Sequence, residues 1–291
     1  MSGVLHISYS VATIVLKRLC FACYPFEELA QKEHACVLCG ICHEGPNRLL
    51  IPHTPAKVTL KSIASLIDQT LLKPDATAAD IARLCGEARG HQFASVCINP
   101  DWVRLARQHL ADSPVRVCTV IGFPLGANHT ATKVAEAKLA LLQGATELDM
   151  VQNIGALRSG ELSLVQEEIR ALASLAHAEG AILKVILETC LLTDEQKTTA
   201  CLLAVEANAD FVKTSTGFST SGATEDDVRL MRAAVGPSTG VKASGGIRSL
   251  EAVRRMVLAG ATRIGTSSGP QILREFAEGV DSNSAKLPDA Y

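Results

Sequence analysis

From about Lys61 onward, short apolar runs alternate regularly with longer amphipathic stretches. The runs at Leu66–Leu72, Ala94–Ile98, Arg116–Ile121, Glu147–Val151, Ile182–Leu187, Asp210–Lys213, Val241–Ala243 and Arg263–Gly265 read as eight strands. The stretches between them carry helix signals. Asn99 before Pro100 offers a cap followed by proline at the first helical position. Thr193 with Gln196 makes a capping box. Thr224 before Glu225-Asp226-Asp227, and Ser249 before Glu251, place a cap and acids where the helix dipole favours them. Gly90, Gly144, Gly180, Gly236 and Gly260 mark the helix ends.

Strands alternating with helices imply right-handed βαβ units and a parallel sheet. Eight repeats predict a closed (β/α)8 TIM barrel over residues 60–279. An open doubly wound sheet would normally carry a Gly-rich dinucleotide fingerprint after its first strand. Asp68-Gln69-Thr70-Leu71-Leu72-Lys73-Pro74 has none.

Residues 1–59 show neither period and carry Pro25, Pro46, Pro52 and Pro55. They are expected to form a poorly ordered, Cys-rich extension ending in a linker near Pro52 and Pro55. Cys20-x-x-Cys23 and Cys36-x-x-Cys39 resemble paired zinc knuckles, but their separation is short for a zinc ribbon. An iron–sulfur motif starting at Cys36, Cys39 and Cys42 fails where Pro46 stands in place of a fourth cysteine. The expectation is therefore no metal. Residues 280–291 are small and polar and read as a mobile tail ending in Tyr291.

Twenty-eight basic and thirty acidic residues leave a net charge of −2, which gives no general affinity for nucleic acid or acidic membranes. No apolar run reaches the ~18 residues of a membrane span. Val11–Leu16 is too short for a signal peptide core, and Lys17-Arg18 follows it rather than precedes it. Cys85, Cys97, Cys118, Cys190 and Cys201 are scattered through apolar segments, as reduced core cysteines of a cytoplasmic protein would be.

In a barrel, polar residues at the C-terminal ends of strands mark the active site. Asp68 and Thr70 come from the first strand, Asp149 and Asn153 from around the fourth, and Lys184 and Glu188 from the fifth. Lys213 and Lys242 come from the sixth and seventh. Alternation places Phe211 with Lys213, Glu147 with Asp149, and Lys184 with Ile186 and Glu188. Buried charges must be paired or change protonation state. A snorkelling lysine or a barrel ion pair would account for any one of these lysines. Two on neighbouring strands suggest more, because a nearby cation disfavours a second ammonium and leaves a neutral, nucleophilic amine. An aspartate within reach could then move protons.

Lys242-Ala243-Ser244-Gly245-Gly246-Ile247-Arg248 and Ile264-Gly265-Thr266-Ser267-Ser268-Gly269 follow the last two strands. Barrels commonly hold phosphate there, using glycine backbone and a helix start.

These motifs, with Phe93-Ala94-Ser95-Val96-Cys97, Val120-Ile121-Gly122-Phe123-Pro124-Leu125-Gly126, Leu183–Thr189 and Val212-Lys213-Thr214-Ser215-Thr216-Gly217, resemble the deoxyribose-phosphate aldolases over about Ile63 to Phe276. The resemblance implies a carbon–carbon lyase of nucleoside catabolism that needs no metal or organic cofactor. It would reversibly cleave 2-deoxy-D-ribose 5-phosphate to D-glyceraldehyde 3-phosphate and acetaldehyde through a lysine Schiff base. Lys213 would be the Schiff-base lysine, Lys242 its activating neighbour and Asp149 the proton relay, with Lys184 and Asp68 beside them. Gly217, Gly245, Gly246, Gly265, Ser267 and Ser268 would line the phosphate pocket, with Thr70 and Arg248 nearby. Some relatives carry a lysine where this chain has Phe218, which leaves backbone N–H groups and Arg248 to hold the anion. In some, a C-terminal tyrosine assists proton transfer, a role open to Tyr291. A homodimer would fit the family. The alternatives are another Schiff-base barrel aldolase of sugar phosphates, or a barrel scaffold carrying a zinc-binding interaction module at residues 20–43.

Overall fold

A computed structural model describes residues 59–279. The cysteines of the N-terminal extension and the tail with Tyr291 lie outside the described residues. Eight strands, β1 (Ile67–Leu71), β2 (Ser95–Ile98), β3 (Arg116–Ile121), β4 (Glu147–Val151), β5 (Ile182–Ile186), β6 (Phe211–Lys213), β7 (Gly240–Ser244) and β8 (Arg263–Thr266), pair in chain order. All pairings are parallel, and β8 returns to β1 to close the barrel. After a first helix, α1 (Leu60–Ala64), the connections carry α2 (Ala78–His91), α3 (Val103–His109), α4 (Thr130–Leu142), α5 (Ile154–Arg158), α6 (Leu162–Ala178), α7 (Asp194–Glu206), α8 (Glu225–Val235), α9 (Leu250–Leu258) and α10 (Gly269–Ala277).

Alternation along each strand divides the molecule into an apolar shell and a polar lumen. Leu148 and Met150 of β4, Leu183 and Val185 of β5, Val212 of β6, Val241 and Ala243 of β7 and Ile264 of β8 join the main core with the helices. The residues between them turn inward. On the β1–β3 side the lumen is lined by a small apolar cluster of Leu72, Cys97, Cys118 and Val120. On the β4–β8 side it holds charges: Glu147, Asp149, Lys184, Lys213 and Lys242 are all buried.

The caps explain most of the helix starts. Thr193 and Gln196 form the expected capping box, and Thr224 and Ser249 accept from Asp227 N–H and Ala252 N–H. Asn99 behaves differently. Pro100 opens a short 3-10 turn rather than an α-helix, and the Asn99 amide donates to Leu72 O (3.2 Å), tying β2 to the end of β1. Gly90 also departs from expectation. It lies inside α2, and Gln92, at φ 56°, adopts the left-handed cap conformation instead. Asn153, expected among the site residues, instead caps α5 by accepting from Ala156 N–H at 3.0 Å.

One buried ion pair supports the strand that carries Asp149. Lys133 Nζ on α4 donates to Glu168 Oε1 on α6 (2.7 Å) and to the carbonyl of Val151 (2.8 Å), the last residue of β4. Among the described residues no helix is long and apolar enough to cross a membrane.

Candidate active site

The charged half of the lumen is organised around Asp149. Register sets Asp149 beside Lys184 and Lys213 beside Lys242. Lys184 Nζ donates to Asp149 Oδ1 at 2.8 Å. The other carboxylate oxygen, Oδ2, accepts from Lys213 Nζ (2.8 Å) and from Lys242 Nζ (2.7 Å). Behind this layer, Lys184 also pairs with Glu147 Oε2 at 2.6 Å, and Lys242 with Asp68 Oδ2. Arg263 closes the group from below, donating to Asp68 Oδ1 at 2.7 Å and to Glu147 Oε2 at 3.2 Å.

Burying an ion costs several kcal/mol, so this many charges can stay inside only by mutual pairing. Burial by itself would neutralise the Asp149 carboxyl. Lys184, Lys213 and Lys242 outweigh it and hold the group well below the usual carboxylate range. Asp68 follows the same logic: burial opposes its charge, and Lys242, Arg263 and Lys184 bring its pKa down. Burial likewise works against the ammonium of Lys242, but Asp149 and Asp68 hold its pKa above the ordinary lysine value. Lys184 is likewise raised well above the ordinary lysine value, with Asp149 and Glu147 among the groups that overcome its burial.

The three lysines are therefore not equivalent. Lys184 faces three carboxylates within 4 Å, Lys242 two, and Lys213 a single oxygen that it shares. The thiols on the apolar side complete the wall. Cys118 Sγ donates to Asp149 Oδ1 at 3.1 Å, and burial pushes its thiol well above the ordinary range. Donor atoms of Cys97, Cys118 and Asp149, and of Asp68, Cys118 and Glu147, come within 4.8 Å of one another, as metal ligands would. A cation already sits among them, because Lys184 Nζ lies 3.3 Å from Cys118 Sγ and bonds both Asp149 and Glu147.

The glycine-rich loops meet at the mouth beside this cluster. Gly217, Gly245 and Gly246 have φ of 85°, 90° and 80°, values that L side chains rarely adopt. Ala223 N–H donates to Gly245 O at 3.1 Å, joining the loops after β6 and β7. The buried hydroxyls of Ser215 and Ser244 have no hydrogen-bond partner among the described residues. Gly265 lies against Ser244, and a Cβ there would come 2.3 Å from its hydroxyl oxygen. Ser267 and Arg248 are exposed, and Ser268 leads into α10.

Comparison with known proteins decides the family. A model described as "DeoC/LacD family aldolase" matches residues 62–276. A deoxyribose-phosphate aldolase of Geobacillus sp. (strain WCH70) is 57% identical over 223 residues, covering 77% of this chain and 98% of that protein. One from Bacillus cereus (strain Q1) is 55% identical over 222 residues, covering 76% and 99%. Among solved structures, the tetrameric deoxyribose phosphate aldolase from Aeropyrum pernix is 38% identical with a TM-score of 0.71, covering 75% of this chain and 92% of that one. The chain belongs to the DeoC/LacD family of aldolases.

In this aldolase the sequence-derived site assembles only in part. Lys213, Lys242, Asp149, Lys184 and Asp68 form one connected cluster. Thr70 is half-buried on β1, and its hydroxyl bonds the Asp68 carbonyl rather than a lysine. Glu188 departs from the expected face. Strand alternation put it in the lumen with Lys184, but β5 ends at Ile186 and the Glu188 carboxylate bonds Thr216 instead. Glu147, Arg263 and Cys118 belong to the cluster without having been singled out as site residues. The signal for the first two was a charge within a strand; Cys118 looked like any other core cysteine.

Proposed function

We propose that this aldolase cleaves 2-deoxy-D-ribose 5-phosphate reversibly to D-glyceraldehyde 3-phosphate and acetaldehyde, with Lys213 as the Schiff-base nucleophile. The observation that carries this reading is the sharing of Asp149 Oδ2 by the Lys213 and Lys242 amines. The lumen holds three carboxylates (Asp68, Glu147, Asp149) and four basic groups (Lys184, Lys213, Lys242, Arg263). One neutral amine balances that count. Lys213 is the amine with fewest carboxylate partners, and at the end of β6 it is the least completely buried of the three.

Chemistry follows from that assignment. Lys213 Nζ adds to the aldehyde carbon C1 of the open sugar, and Asp149 takes a proton from the attacking nitrogen and returns it to the departing hydroxyl. Loss of water leaves an iminium on Lys213. Asp149 then takes the C3 hydroxyl proton, through a water, as the C2–C3 bond breaks and its electron pair passes into the iminium to give an enamine. Glyceraldehyde 3-phosphate leaves. Asp149 returns that proton by the same route to C2 of the enamine, and water hydrolyses the resulting iminium to acetaldehyde and free Lys213. Lys242 and Lys184 remain charged throughout and keep the lumen electrostatically fixed before the reaction begins.

The phosphate is held by the backbone of Gly217, Gly245, Gly246 and Gly265 with Ser267 and Ser268, while Ser215 and Ser244 present hydroxyls to the bound sugar. Arg248 contributes charge from the rim, where Phe218 offers none. The lumen needs no metal or organic cofactor for this sequence of steps, and the free cysteines fit a cytoplasmic enzyme. Tyr291 as a proton-transfer aid and a homodimeric assembly remain part of the same reading.

Borohydride reduction in the presence of acetaldehyde, followed by peptide mass spectrometry, tests the reading. The expected product is an ethyl adduct on Lys213. An adduct on Lys242 or Lys184 would reassign the nucleophile. No adduct on folded protein would remove the Schiff base.

A further inference from the structure

Glu188 occupies a backbone conformation that its residue type disfavours. Pairing between the ends of β5 and β6 continues on both sides of it: Leu187 N–H donates to Lys213 O (2.9 Å) and Thr189 N–H to Thr214 O (3.0 Å). Between those two bonds Glu188 sits at φ 56°, ψ 64°, in the left-handed region that costs a non-glycine residue stability. The residue is only 2% exposed. Backbone strain of this kind persists where surrounding structure imposes it, commonly beside functional sites.

The strained backbone turns the carboxylate onto the loop after β6. Glu188 Oε1 accepts from Thr216 N–H at 3.3 Å, and Oε2 accepts from the Thr216 hydroxyl. Thr216 Oγ1 in turn accepts from Phe218 N–H at 3.0 Å. All of the carboxylate's hydrogen-bond partners among the described residues are uncharged, and the Cys190 thiol, 4.0 Å away, is the remaining one. A carboxylate makes stronger hydrogen bonds than a neutral acceptor, and the bond from the Thr216 hydroxyl is the short one here. Here both ends of the Thr216-Gly217-Phe218 turn are tied to it. The N–H of Gly217, at the centre of that turn, takes no part in the relay.

We propose that Glu188 is the positioning residue of the phosphate-binding turn. Its carboxylate locks Thr216, and through Thr216 it aims the Gly217 backbone at the substrate's phosphate while never touching substrate itself. The proposal rests on the reading of Gly217 as part of the phosphate pocket. It makes Glu188 matter for a phosphorylated sugar and not for the same sugar without phosphate.

The test compares cleavage of 2-deoxy-D-ribose 5-phosphate and of 2-deoxy-D-ribose by wild type, Glu188→Gly and Glu188→Gln. Glycine accepts the left-handed backbone without strain, so it removes the carboxylate alone. For Glu188→Gly the expected result is a KM for the phosphorylated sugar raised by about tenfold or more, the scale of one lost charge-assisted bond. Its kcat on that sugar, and its kcat/KM on the unphosphorylated one, should stay within about threefold of wild type, since neither depends on the turn. Glu188→Gln keeps an acceptor oxygen and should recover most of the KM. Should Glu188→Gly fail to fold, Thr216→Val cuts the same relay from its other end and should give the same split. Equal losses on both sugars, or an unchanged KM, would overturn the clamp. A wild-type enzyme that treats both sugars alike would overturn the phosphate pocket itself, and the clamp with it.

Discussion

Lys213 and Lys242 are register partners on adjacent strands, and both amines reach the same oxygen of Asp149. Two ammonium groups on one oxygen repel each other, and Lys242 is anchored as the cation by Asp68 as well. Lys213→Ala should therefore abolish the borohydride-trapped adduct. Lys242→Ala should keep the adduct on Lys213 but form it more slowly at neutral pH, because the repelling cation has gone. A trapping rate that stays at the wild-type value would remove Lys242 from this role.

Lys184 is placed differently from the other two amines. It is fully buried and bridges Asp149, Glu147 and Asp68. Removing it leaves three carboxylates facing a lumen with one cation fewer. Lys184→Met should cost about 3–5 kcal/mol in urea unfolding, the scale found when one partner of a buried ionic group is deleted. Lost turnover at unchanged stability would instead tie Lys184 directly to the chemistry.

How the chain displays these features depends on their range. The strands and most caps are legible because period-two alternation and capping chemistry act over a few residues; Thr193–Gln196 and Thr224 are read without tertiary information. The lumen is legible as a set of inward charges, since Lys184, Lys213, Lys242 and Asp149 each sit on the polar face of an apolar strand. The pairing among them is not, because barrel closure brings Asp149 to a lysine 93 residues away. Arg263 reads as the edge of a strand, and only the closed barrel brings its guanidinium to Asp68 and Glu147. Glu188 defeats alternation because one left-handed residue reverses the face, and a glutamate gives no warning of it. Gly90 misleads for the opposite reason: glycine permits a helix end but does not compel one, and α2 runs on to His91.

Acid should act on this lumen late and in one direction. Asp68 and Asp149 have folded pKa values below the roughly 3.9 of an unfolded aspartate. A depressed carboxyl stabilises the fold fully above its unfolded value and loses that contribution as pH falls through its folded one. Lys184 and Lys242, raised above about 10.4, stabilise fully below that value and lose the effect only at higher pH. The stability gap between wild type and Asp68→Asn should thus be flat from about pH 5 to 9 and shrink below about pH 4. Urea midpoints across that range measure it, and a gap that widens in acid would count against the ion-pair account.

Gly222 and Gly217 separate two reasons for glycine in the same loop. A Cβ on Gly222 would fall 2.2 Å from the oxygen and 2.4 Å from the carbonyl carbon of Gly245, both backbone atoms that cannot swing aside. A Cβ on Gly217 meets nothing within 4 Å, and its φ of 85° is the only obstacle. Gly217→Ala should therefore cost about 1–2 kcal/mol of backbone strain while leaving the loops after β6 and β7 in contact. Gly222→Ala has to push Gly245 away, break the bond from Ala223 N–H and open the pocket. Its KM for the phosphorylated sugar should rise further than that of Gly217→Ala. If the two variants shift KM equally, loop-to-loop contact is not what shapes the pocket, and glycine is needed at both positions for backbone conformation alone.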